Sequence, residues 1–278
     1  MHELRAEPAP AAAPIPSKRG RAIVITSGKG GVGKTTTTAN LGVALAQTGA
    51  RVALVDADVG LRNLDIVLGL ESRVRHHLLD VLERKAELDD ALVSDKRVPS
   101  LKLLAAAQTR EKDEVDTAAM QELVTRLRER FDYVLIDCPA GIELGFRNAV
   151  AGADEAIVVC TPEVSAVRDA DRVVGLLGER VSIKLVVNRI RPALVKKGKM
   201  LSVADVDQIL RLPLLGIIAD EPGVIISTNK GEPLALDAGS PTGEEYRRIA
   251  ARVAGTDTSV PEAPRDQTFF EKIFGGRK

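Results

Sequence analysis

The chain has 278 residues, 45% of them hydrophobic, which is ample for one large α/β domain or one domain with appendages. Its 39 basic and 39 acidic residues cancel, which excludes a global positive field for nucleic acid and leaves room only for local patches. Cys138 and Cys160 lie 22 positions apart in apolar runs and outside any Cys-x-x-Cys pair, which argues against a disulfide frame and fits reduced thiols in a core.

Residues 1–20, with Glu3, Glu7 and a Pro-Ala tract from Pro8 to Pro16, lack the apolar core of a secretion signal and the acid-poor bias of a transit peptide. This composition predicts a disordered extension. From Arg21 onward, short β-branched runs alternate with helical patterns, so residues 21–254 are expected to form a single α/β domain with a mostly parallel sheet flanked by helices. Strands are expected at Ala22–Thr26, Val52–Asp56, Leu101–Leu104, Tyr133–Asp137, Ala156–Cys160, Lys184–Asn188 and Leu214–Ile218. Helices are expected at Thr35–Thr48, Met120–Arg130, Ser165–Gly178, Val203–Leu210 and Gly243–Ala254. Several strands end in residues able to do chemistry, at the carboxyl edge where open α/β sheets hold ligands. A proline-containing stretch over 255–265 reads as a linker to a last segment, 266–278. No apolar run approaches the ~18 residues that a bilayer span requires.

Between the first strand and first helix runs Ser27-Gly28-Lys29-Gly30-Gly31-Val32-Gly33-Lys34-Thr35-Thr36, a phosphate-binding loop in its proper context. Glycines let successive backbone N–H groups face phosphate oxygens, and the helix that follows adds its positive dipole end. Lys34 then pairs with β/γ-phosphates, and Thr35 offers its hydroxyl to Mg²⁺. Lys29 is one lysine more than a single site needs; it sits on the outer arm of the loop, where its side chain is expected to point away from the phosphates. Tyr133–Asp137 is an apolar strand ending in a carboxylate, the arrangement that Mg²⁺ needs beside such a loop. Asp56 and Asp58 share a face if their strand continues that far, and are candidates for orienting an attacking water.

Lys-Gly-Gly-Val-Gly-Lys-Thr over residues 29–35 resembles the loop of the deviant Walker-A P-loop ATPases, the family of the division-site MinD, partition ParA, arsenite-pump and nitrogenase iron proteins. The resemblance implies ATP hydrolysis with Mg²⁺, and a nucleotide-sandwich homodimer in which Lys29 reaches the partner's phosphates. It implies that Asp58 is the catalytic carboxylate beside Lys29 and Lys34, and that Thr35, Asp56 and Asp137 serve the metal. Nucleotide contacts would come from Lys29, Gly30, Gly31, Val32, Gly33, Lys34, Thr35 and Thr36. On the base side they would come from Asn188, Arg189 and the Asp220-Glu221-Pro222 element; an amide such as Asn188 offers both a donor and an acceptor to a base edge.

Four further blocks, Gly60–Asp65, Pro139–Glu143, Pro162–Arg172 and Asn229–Pro233, look like those of the MinD branch. In that branch Arg62, Asn63, Arg168 and Asp169 lie near the dimer and partner interface, although Asn63 and Asp169 equally suit helix caps. The branch implies a MinC-like septum inhibitor as partner, a MinE-like activator where one exists, and placement of the division septum from the cytoplasmic face of the inner membrane. The ParA-like alternative would replace a membrane tail by a basic DNA-binding face; a flagellar-number ATPase of the same superfamily is a further alternative. Cys138 departs from the pattern, since a small hydroxyl residue is common there. The nitrogenase relative suggests an iron–sulfur cluster, but Cys160 is expected to be buried and unable to share one.

Three of five phenylalanines fall in the last ten residues. At 100° per residue, Phe269, Phe270, Ile273 and Phe274 occupy an arc of about 140°, with Glu271 and Lys272 opposite. This predicts an amphipathic helix that binds anionic membrane lipid, weakly as one copy and strongly as two on a dimer. No specific nucleic-acid partner is expected.

Overall fold

The computed structural model describes residues 19–108 and 115–261. The expected extension over 1–18 and the amphipathic segment with Phe269, Phe270, Ile273 and Phe274 lie outside the described residues. Gly20, assigned to the extension by its sequence, is instead tied down: its N–H donates to Arg128 O at 2.9 Å, and its carbonyl accepts from Arg128 Nε at 2.7 Å.

The chain begins β1 (Arg21–Thr26), α1 (Lys34–Gln47), β2 (Val52–Asp56), α2 (Leu64–Leu68), α3 (Leu78–Leu82), α4 (Leu88–Ala91), β3 (Val93–Ser94) and β4 (Leu101–Leu104). It continues α5 (Thr117–Arg128), β5 (Tyr133–Asp137), α6 (Leu144–Val150), β6 (Glu155–Cys160), α7 (Val164–Leu177), β7 (Ser182–Ile190) and α8 (Pro192–Lys196). Last come α9 (Val203–Leu210), β8 (Leu214–Ala219), α10 (Gly223–Lys230) and α11 (Pro241–Ala254). Eight strands form one sheet in the order β3-β4-β2-β5-β1-β6-β7-β8, parallel except for the short β3. Helices cover both faces, so strand residues such as Ile23 and Val24 enter opposite cores and the strands read as unbroken apolar runs.

The expected strands all form, with β7 longer at both ends than Lys184–Asn188. Unforeseen are β3 and the short helices α2, α3, α4, α6, α8 and α10. About one to two turns hold too few residues for a 3.6-residue period to stand out, and these helices are defined by their ends. His77 and Asp80 make a capping box at the start of α3, while α2 and α10 end on Gly69 and Gly231, both at positive φ. Those two glycines meet: a Cβ on Gly231 would lie 2.5 Å from Gly69 Cα. Arg97 locks the same junction by donating to Gly231 O and Leu68 O at 2.8 and 2.6 Å.

α1 is built against propensity, since Thr35, Thr36, Thr37 and Thr38 are β-branched. Burial overrides the cost. Thr37, Thr38 and Leu41 are buried, Thr38 Oγ1 donates to Lys34 O, and Asn40 bridges Thr36 O and the N–H of Ala235. α11 packs along α1, opening with Ser240 as cap and Pro241 in its first turn. Beyond it, the expected linker is fastened as far as Ser259: Arg252 donates to Ser259 O and pairs with Asp257.

Candidate functional site

Strand order assembles the site. Because β1 lies between β5 and β6, the loop leaving Thr26 emerges beside Asp137 at the end of β5, and Asp56 on β2 is the cross-strand partner of Asp137. Asp56 and Asp137 are both buried, and burial pushes both carboxyl groups far above the ordinary carboxylate range. Two adjacent buried acids with hydroxyl neighbours form a donor set for a hard divalent cation, with Thr35 close to Asp137 and Thr38 Oγ1 donating to it at 3.3 Å. Asp56 also accepts from the N–H groups of Asp58 and Leu64 at 3.0 and 3.2 Å, so it fixes the turn that follows. β2 stops at Asp56, as expected, so the condition under which Asp56 and Asp58 would share a strand face is not met. Asp58 instead opens the next turn, half-buried, with its carbonyl accepting from Leu61 and Arg62.

The loop itself is shaped for an anion. Gly31 and Gly33 have φ of 75° and 101°, and no side chain caps the first turn of α1, which leaves its leading N–H groups to a ligand. Gly30 packs against Ala140, and Val32 is buried. The two lysines diverge. Lys34 is only 7% exposed and its Nζ donates to Ser27 Oγ at 3.0 Å, inside the loop. Lys29 is exposed, with Nζ 3.2 Å from Glu163 Oε2 and 3.3 Å from Ser165 Oγ at the start of α7. The loop also touches α7 directly, because a Cβ on Gly28 would lie 2.2 Å from the carbonyl of Asp169.

Asn188 closes the loop from the other side. Its Nδ2 donates to Val32 O at 2.7 Å, and its Oδ1 accepts from the N–H of Arg189, which adopts a left-handed φ of 58°. A cleft of about 410 Å³ opens there, lined by Gly33, Thr36, Asn188, Arg189, Asp220, Glu221 and Pro222 among others. All predicted base-side residues therefore share one cavity with the loop. Two contributors escaped the sequence: Tyr246, whose hydroxyl lies 3.4 Å from Thr37 Oγ1, and Thr242, which donates to Glu221 Oε2 at 2.7 Å. A polar pair four residues apart on the buried face of the last helix was the available signal.

A methyl group at Gly33 would sit 2.3 Å from Asn188 Nδ2 on a backbone that L-residues rarely adopt. Gly33→Ala is expected to lower stability by about 1–3 kcal/mol and to weaken nucleotide binding at least tenfold, as a urea melt and calorimetry would register.

The predicted interface residues are divided between two elements. Asn63 and Arg168 are exposed, whereas Arg62 turns inward, its Nε donating to buried Asp65 at 2.6 Å at a φ of 44°. Neither suspected cap forms: Asn63 precedes α2 without a side-chain bond, and Asp169 lies in the interior of α7. Cys138 and Cys160 are both buried, and burial pushes each thiol up to about 12. No helix among the described residues is long and apolar enough to cross a membrane.

An AAA domain family matches residues 20–188. The septum site-determining protein MinD of Synechocystis sp. is 58% identical over 240 residues, covering 85% of this chain and 90% of its own length. Among solved structures, the MinC:MinD cell division protein complex of Aquifex aeolicus aligns at 47% identity and a TM-score of 0.81, over 87% of this chain and 99% of that one. MinD complexed with Mg-ADP from Pyrococcus horikoshii aligns at 33% identity and a TM-score of 0.77, over 84% and 96%. With the deviant loop in its sheet and identity of this level across nearly the whole domain, the chain belongs to the MinD family of septum site-determining P-loop ATPases.

Proposed function

We propose that this chain binds ATP with Mg²⁺, forms a nucleotide-sandwich homodimer, attaches to the cytoplasmic face of the inner membrane through its C-terminal segment, and helps to place the division septum. One observation carries the reading: the two lysines of one loop face opposite ways, Lys34 toward its own loop and Lys29 outward onto α7. A lysine that serves only its own phosphates has no reason to leave them. The domains of this reading are the ATPase body over 21–254, the linker over 255–265 and the membrane segment over 266–278, with 1–20 an extension.

Lys34 and the N–H groups of the Gly30–Thr36 arm hold the phosphates, while Asn188, Arg189 and the Asp220–Pro222 turn hold the base. Mg²⁺ would be held by Thr35 with Asp56 and Asp137 behind it, and would supply neutralisation of phosphate charge. Asp58 orients the attacking water. Lys29 leaves Glu163 and Ser165 to reach the partner's phosphates, and that exchange couples nucleotide state to α7, whose Arg168 and Asp169, with Arg62 and Asn63 of the neighbouring turn, face partners. The solved MinC:MinD complex of a relative supports a MinC-like inhibitor as one of them. A MinE-like activator is the other.

The test is co-sedimentation with anionic vesicles in ATP and in ADP, beside duplex DNA. Wild type is expected on vesicles in ATP alone. Asp58→Ala should dimerise, accumulate on vesicles and hydrolyse at least 100-fold more slowly, because losing a water-orienting carboxylate raises the barrier more than it weakens binding. Preference for DNA over lipid would replace this reading with the partition-ATPase one.

A further inference from the structure

Between Arg189 and Ala204 the chain carries five basic residues and no acidic one. Arg189 lines the base-side cleft, and Arg191 pairs with Asp220 at 2.5 Å. Lys196, Lys197 and Lys199 are all exposed, at the end of α8 and in the turn after it. None of the five residues of α8 is buried, so core packing does not explain this projection.

The last described residues lie close to the segment that follows this turn. After α11, Thr258, Ser259, Val260 and Pro261 line a groove together with Ser202, Val203 and Ala204, and Lys199 lines the neighbouring groove, which shares Ser202. Three peptide steps separate Lys199 from Ser202, at most about 11 Å of chain. Val260, on this exit path, is 81% exposed. Asp205, the nearest carboxylate in sequence, is engaged by Ser202, whose N–H and hydroxyl both donate to it at 2.7 Å.

We propose that Lys196, Lys197 and Lys199 form a contact for anionic lipid headgroups that engages when the adjoining C-terminal segment inserts; the proposal rests on the membrane reading above. Lysine suits the task, as a compact, hydrated charge on a flexible stem that meets a phosphate without a fixed geometry. A basic side chain near an anionic leaflet adds on the order of fivefold to affinity, and the effect fades within a Debye length, about 8 Å at physiological salt. Because Lys199 and the last described residues line grooves that share Ser202, insertion of the segment that follows would bring the lysines toward the bilayer. The apolar segment then supplies insertion, and the lysines supply selectivity for negative surface.

The experiment uses the full chain with ATP and Mg²⁺ on phosphatidylcholine vesicles containing rising fractions of phosphatidylglycerol. Lys196→Gln, Lys197→Gln and Lys199→Gln combined should keep ATP hydrolysis and dimerisation, lose roughly 10–100-fold in affinity on phosphatidylglycerol-rich vesicles, and match wild type on uncharged ones. The three Lys→Arg changes together should retain binding, which separates charge from folding. A glutamine variant that follows wild type across the whole lipid series overturns the proposal. So does a loss confined to duplex DNA, which would make the surface a nucleic-acid contact. Phe270→Glu serves as the control: if it binds vesicles as wild type does, the membrane reading itself fails, whatever the lysines do.

Discussion

Lys34→Ala is expected to abolish nucleotide binding, while Lys29→Ala should keep it and lose ATP-dependent dimerisation and hydrolysis. Lys34 is buried within its loop and held by Ser27, so its ammonium is already desolvated and aimed when the phosphates arrive. Charge-assisted hydrogen bonds of this kind are worth about 1.5–3 kcal/mol each, so losing contacts to two phosphate oxygens costs at least about 100-fold in affinity. Lys29 makes an exposed ion pair with Glu163, of the class worth at most about 1 kcal/mol, so its removal barely affects the monomer. Calorimetry and analytical ultracentrifugation on both variants decide the matter. An equal loss of ATP affinity would mean that Lys29 serves its own site, and the sandwich reading would be wrong.

Deletion from Phe269 onward, or Phe270→Glu, is expected to leave ATP binding and dimerisation intact and to remove ATP-dependent attachment to anionic vesicles. Arg252 ties the chain to α11 as far as Ser259, and Pro261 still lies against the body, so a cut at Phe269 disturbs none of these contacts. A glutamate on the apolar face forfeits a buried ring and adds repulsion from anionic headgroups. In the proposed dimer two segments would act together, so wild type is expected to gain roughly 10²–10⁴ in retention on dimerising and to lose it on hydrolysis. Sedimentation of the truncated protein with vesicles in ATP would refute the membrane switch.

The amino-acid sequence by itself determined whatever is written in consecutive residues. The glycine-rich run from Ser27 to Thr36, the apolar strands ending in Asp56 and Asp137, and the helices Val203–Leu210 and Gly243–Ala254 were all readable. Each is a local pattern of period, cap or turn, and burial confirmed the pattern in place. The tertiary structure alone decided what meets across the chain. Asp56 and Asp137 become a buried pair only because β2 and β5 are neighbours in register, an order that no local pattern specifies. Lys29 finds Glu163 and Gly28 finds Asp169 across more than 130 residues, because β1 and β6 are adjacent and each feeds its following helix to the same edge. Tyr246 lines the base-side cleft and Thr242 holds Glu221 at its wall because α11 packs along α1, and the residues after that helix share a groove with Ser202, Val203 and Ala204. Side-chain chemistry is local, but its partners are chosen by strand order and helix packing, which long-range burial selects.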